Sequence, residues 1–89
     1  MLLKLKHPLK FGPKTIAELQ FRDYATAEDL LAFDERGANR QTIALIASLT
    51  GTDHEIIKRL NVVDYREADI IASKLISPEA DEKNESESY

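Results

Sequence analysis

Near the start of the chain Leu3, Leu5, His7, Leu9 and Phe11 alternate with Lys4, Lys6, Pro8 and Lys10. A period of two marks a half-buried strand, because successive side chains point to opposite faces. Pro8 has no N–H to give to a ladder, so the strand lies at an edge or breaks there. Gly12-Pro13 marks a turn, and Ala17, Leu19 and Phe21 then share one face of a second run. Two such runs around a glycine turn predict a β-hairpin over residues 1–22. A lone hairpin is marginal in water, so its apolar face must rest on something else.

From Thr26 the spacing becomes helical. Thr26 with Asp29 three residues on forms a variant capping box, and Leu30, Leu31 and Phe33 supply apolar surface before Gly37 stops the helix. A second helix is predicted from about Arg40 to Thr50, on the spacing of Ile43, Ile46, Ala47 and Leu49. Gly51 stands where a left-handed residue closes it. Thr52 with Glu55 has the form of another capping box and opens a third helix that reaches about Leu60. Asn61 caps a fourth, with Asp64 as its return partner. Val63, Ala68, Ile71, Ala72 and Leu75 lie near one stripe of it, and Pro78 ends it. The expected fold is α+β: an N-terminal β-hairpin packed on a compact bundle of about four short helices, the helical part spanning 26–77. We expect a single domain over 1–77 and a disordered acidic C-terminal tail over 78–89, whose composition cannot offset the entropy of ordering.

Charge divides the chain the same way. Residues 1–22 carry a net +4, residues 23–77 a net −4 and residues 78–89 a further −4, giving −4 over 89 residues. The chain has no cysteine, which excludes a disulfide framework and a thiolate metal site. The opening MLLKLKHPLK alternates apolar residues with lysines and does not read as a signal peptide. No stretch approaches the ~20 apolar residues of a membrane helix, so an intracellular protein off the membrane is expected.

Little points to catalysis. His7 falls on the apolar face of the first strand, as a buried or rim histidine. His54 sits in the first turn of the third helix between Asp53 and Glu55, solvated. No His-x-x-x-His spacing, glycine-rich phosphate loop or G-x-S-x-G elbow is present. We therefore expect no catalytic residue, no cofactor and no metal. A helix-turn-helix DNA-binding regulator is the alternative, since Ala47 and Gly51 match the packing and turn positions of that motif. Against it, Thr50 occupies a position that is usually apolar, and the would-be reading helix starts Thr52-Asp53-His54-Glu55. The body is acidic, whereas DNA affinity comes from neutralising phosphates. Nucleic acid is thus disfavoured as a partner. The fourth helix carries more apolar residues than one stripe holds: Ile70 and Ile76 fall off the Ala68–Ile71–Leu75 line, and Val62 adds to the excess. A helix apolar on too many sides is central to a core or covered by a partner. Val62, Tyr65, Ile70 and Ile76 are the expected partner-binding residues.

The order of features also resembles a known family. A proline-containing strand and glycine turn lead to Ile16, Leu19-Gln20-Phe21-Arg22, Thr26-Ala27-Glu28-Asp29-Leu30 and Ile43 through Gly51. Arg59-Leu60 and Asp64-Tyr65 close the series. The set, over roughly residues 3–76, looks like the tail assembly chaperones of Mu-like and P2-like phages and prophages. The resemblance implies a non-enzymatic protein of the host cytoplasm, absent from the mature virion. It would bind the tape measure protein and keep it soluble while the tail tube assembles. In many members of that family a ribosomal frameshift also yields a longer form of the same protein, which would be a further partner; a homo-oligomer is a separate expectation. The chain departs from the pattern after Gly51, where an apolar residue and a proline are common and Thr52-Asp53 stand here.

Overall fold

A computed structural model describes residues 1–77. The acidic tail expected to be disordered, with Pro78, lies outside the described residues. Strands β1 (Leu2–Phe11) and β2 (Lys14–Gln20) form an antiparallel hairpin. A 3₁₀ helix (Ala27–Asp34) follows, then helices α1 (Ala38–Thr50), α2 (His54–Lys58) and α3 (Val62–Ile76). The α+β architecture expected from the sequence is the one observed, with one helix of the four wound as 3₁₀.

The hairpin is not regular. Lys4 pairs with Glu18 and Leu9 with Ile16, so Leu5, Lys6, His7 and Pro8 stand opposite Ala17 alone. Extra residues on one strand reset which face each side chain takes. Leu3 and Leu5 are buried, but His7 is exposed and does not lie on the apolar face expected for it. On β2 the inward residues are Ile16 and Leu19, three apart, while Ala17 is exposed rather than sharing the face of Leu19 and Phe21. The bulge is the physical reason for both departures.

Leu3, Leu5, Leu19 and Phe21 from the hairpin meet Ala44, Leu45, Ile46, Ala47 and Leu49 of α1. Ile57, Leu60, Ala68 and Ala72 close the core from the other side. Besides Asp64, the fully enclosed side chains of α3 are Ala68 and Ala72, whose small size lets its backbone approach its neighbours. Ile71 and Leu75 pack at the core's margin, and Val63, expected on the inward stripe, is exposed.

Helix ends follow local chemistry. Gly51 has φ 64°, a left-handed conformation that costs an L side chain energy but not glycine. The Thr52 N–H donates to the Ala47 carbonyl (3.0 Å) and the Gly51 N–H to that of Ser48 (3.4 Å), a Schellman closure of α1. α2 is capped by Asp53, whose carboxylate accepts from the Glu55 N–H at 2.9 Å. Thr52, the cap expected from the sequence, instead turns its hydroxyl to the Thr50 carbonyl, and Glu55 pairs with Lys58. Asn61 caps α3 as expected, accepting from the Val63 N–H at 2.9 Å.

Candidate functional site

Two buried carboxylates organise the surfaces available for binding. Asp64, fully buried, is not the return partner of the Asn61 cap. Its two oxygens accept the N–H groups of Lys6 (2.8 Å) and His7 (2.9 Å) from the hairpin bulge. The bulge leaves those amides without a cross-strand partner, and a charged acceptor from α3 satisfies them. Lys6 adds an exposed ion pair to Glu67 of α3 at 3.1 Å. One acid thus fixes α3 to a strand almost sixty residues earlier.

Asp29 is the second. It is 1% exposed and projects from the 3₁₀ helix toward α1. Arg22, just after β2, and the Ser48 hydroxyl of α1 both donate to its Oδ1. The Thr26 N–H donates to Oδ2 at 2.7 Å, which is the return half of the capping box expected at this position. Burial pushes the Asp29 carboxyl up, but the bonds from Ser48, the Thr26 backbone and Arg22 outweigh it and hold the group below its ordinary 3.8. The same contact with Asp29 raises the Arg22 guanidinium. Arg22 also reaches the Ser48 carbonyl (3.2 Å) and lies over the Tyr24 ring. At the far end Gln41 of α1 donates to the carbonyls of Phe33 and Glu35. The 3₁₀ helix is therefore fastened at both ends.

This anchoring decides what that helix shows to solvent. With three residues per turn, Asp29 and Ala32 eclipse on the inward side. Leu30, Leu31 and Phe33 point outward, at 48%, 62% and 45% exposure. The apolar surface supplied by this helix is thus an external face. Tyr24, just before it, is exposed as well.

The residues expected on α3 divide into two groups. Val62 and Ile70 are exposed, at 57% and 56%. Tyr65 is half-buried and its hydroxyl donates to Asn39 at the start of α1, 3.0 Å away. Ile76 is half-buried against the core. At about 100° per residue, Tyr65 and Ile76 fall roughly 20° apart and Ile70 falls about 120–140° from both. Val62 and Tyr65 border a shallow cleft with Ile43 and Leu60, and Ile70 lies outside it. No local pattern in the sequence marks Arg22 and Ser48 as partners of Asp29 or the outward turn of the 3₁₀ face. Pro8 and the odd spacing of Ile16 and Leu19 were the available signs of the bulge.

The helix-turn-helix alternative lacks a reading helix. α2 holds five residues and carries Asp53 and Glu55 at its start. At 1.5 Å per residue it is about 8 Å long, too short to lie along a major groove about 12 Å wide and present side chains to several bases. Among the described residues no helix is long and apolar enough to cross a membrane. The family model for phage tail assembly chaperone proteins, E, or 41 or 14, matches residues 2–76. No curated protein and no solved structure matches the chain.

Proposed function

The chain belongs to the phage tail assembly chaperone family, and we propose that it binds a tape measure protein and keeps it soluble while the tail tube is built. The observation that carries this reading is the amount of apolar surface left outside a completed core. Nine large apolar side chains stand exposed among the described residues, including Leu30, Leu31, Phe33, Val62 and Ile70. A long helical protein with bare apolar stripes needs such a cover until the tube encloses it. On α3 the proposed contact consists of Val62 and Ile70, with Tyr65 and Ile76 at its margins. The charged remainder keeps the complex in solution, and displacement during assembly fits an interface of modest size. The proposed setting is the host cytoplasm, with the protein leaving before the virion is complete.

Co-expression with the tape measure protein of the same phage tests this. The expected result is a soluble complex recovered on a tag carried by this chain, and precipitation of the tape measure protein when the chain is omitted. Failure to recover the complex, together with salt-sensitive binding to duplex DNA, would overturn the proposal.

A further inference from the structure

We propose that the outward face of the 3₁₀ helix docks an amphipathic helix whose apolar stripe is bordered by lysine or arginine. The proposal rests on the chaperone function above and names the chemistry of the segment recognised. Leu30 and Phe33, three residues apart in a 3₁₀ helix, form one row. With a rise of ~2.0 Å per residue they stand about 6 Å apart, close to the ~5.4 Å pitch of an α-helix. Successive turns of a partner helix can therefore seat against them, with Leu31 beside the row. The face does not have to form on binding. Asp29, Arg22 and Ser48 fix one end of the 3₁₀ helix, and Gln41 fixes the other.

The surrounding charge selects the partner. From Asp23 to Glu35 the chain has five acids and no lysine or arginine. Arg22 is committed to Asp29. At three residues per turn Glu28 and Asp34 share a column with Leu31, and Glu35 follows at the helix end with the exposed Arg36 just beyond it. None of the three acids makes an ion pair among the described residues. An apolar stripe flanked by acids would meet three carboxylates of like sign, and one flanked by bases would neutralise them. A second copy of this chain is a poor occupant. Four of its lysines lie on the hairpin, where Leu3, Leu5 and Leu19 are already buried. On α3 Arg66 and Lys74 flank the exposed Ile70, but the acids Glu67 and Asp69 adjoin it as well.

Two helical peptides of about 18 residues test the proposal. Both carry leucines at i, i+3, i+4 and i+7 spacing; one has lysines beside the stripe and the other glutamates. Fluorescence anisotropy with the full chain should show the lysine peptide binding at least ~10-fold tighter, with the advantage shrinking as salt rises. Leu31→Glu with Phe33→Glu should abolish binding without lowering the melting temperature appreciably. The charge variant Glu28→Gln with Asp34→Asn and Glu35→Gln, which leaves the apolar side chains in place, should make the two peptides bind alike. Equal affinities for wild type, no binding of the lysine peptide, or unchanged binding by the Leu31/Phe33 variant each overturn the proposal. So does a self-associated wild type that this variant converts to monomer. Capture of the tape measure protein is measured in parallel. If the Leu31/Phe33 variant still captures it and Ile70→Glu does not, this docking face is wrong and the chaperone function stands. If wild type binds the lysine peptide but captures no tape measure protein, the function is wrong and the face stands.

Discussion

Removing the Asp64 carboxylate should detach the hairpin from α3. In Asp64→Ala the N–H groups of Lys6 and His7 lose the acceptors now 2.8 and 2.9 Å away. Hydrogen bonds to a charged group contribute roughly 1.5–3 kcal/mol each. Both amides are partly accessible to water, so the lower value applies, and the two together come to about 3 kcal/mol. For a domain of this size that corresponds to a fall in Tm of roughly 12–24 °C. An acid acting only through the charge of the first helical turn would contribute about 0.3–1 kcal/mol, so the two explanations separate cleanly. Asp64→Asn should fall between, because the amide can accept from one N–H but turns its own donors toward the other. Asn61→Ala, which removes the cap alone, should cost ~1 kcal/mol. Urea unfolding followed by circular dichroism gives the stabilities, and amide exchange at Lys6 and His7 reports the bonds directly. If Asp64→Ala costs no more than Asn61→Ala, or if exchange at the two amides does not accelerate, the clamp is refuted.

Asp29 gives the chain a predictable acid response. Its folded carboxyl lies below the ordinary 3.8, so its contribution is complete above that value and is lost as pH falls through the lower folded value. Asp29→Asn should lower stability at neutral pH and flatten the acid limb below pH ~4; an unchanged limb in a stability titration would contradict the network. Gly51→Ala should cost about 1 kcal/mol, since a Cβ there meets no atom within 4 Å and the penalty is backbone conformation alone. Gly51→Asn should cost less, and equal melting curves for wild type and the alanine variant would count against the left-handed closure. Ile70→Glu should leave stability within about 0.5 kcal/mol because the side chain is over half exposed, yet abolish capture of the tape measure protein. Ile46→Ala, at a fully buried position, should cost roughly 2–5 kcal/mol. An Ile70→Glu variant that unfolds instead would place Ile70 in the core.

Whatever depends on near neighbours is legible in the order of residues alone. The two strands, the Gly12 turn, the Thr26–Asp29 box, the Gly51 closure and the Asn61 cap are each set within a few residues, and each stands in the structure. The family likeness was legible for the same reason, since it rests on the order of those local signals. Which face each element turns inward depends instead on contacts across the fold. Asp64 reads locally as a cap partner, but the bulge amides of Lys6 and His7 are much stronger claimants, and nothing near Asp64 in sequence announces them. The bulge also turned His7 and Ala17 to solvent, because extra residues on one strand break the alternation beyond them. Leu30, Leu31 and Phe33 look like material for a core; they lie outside because Arg22 and Ser48, distant in sequence, draw the Asp29 side of that helix inward. Only contacts between remote segments could fix that rotation, and with it the apolar face through which we propose that the protein works.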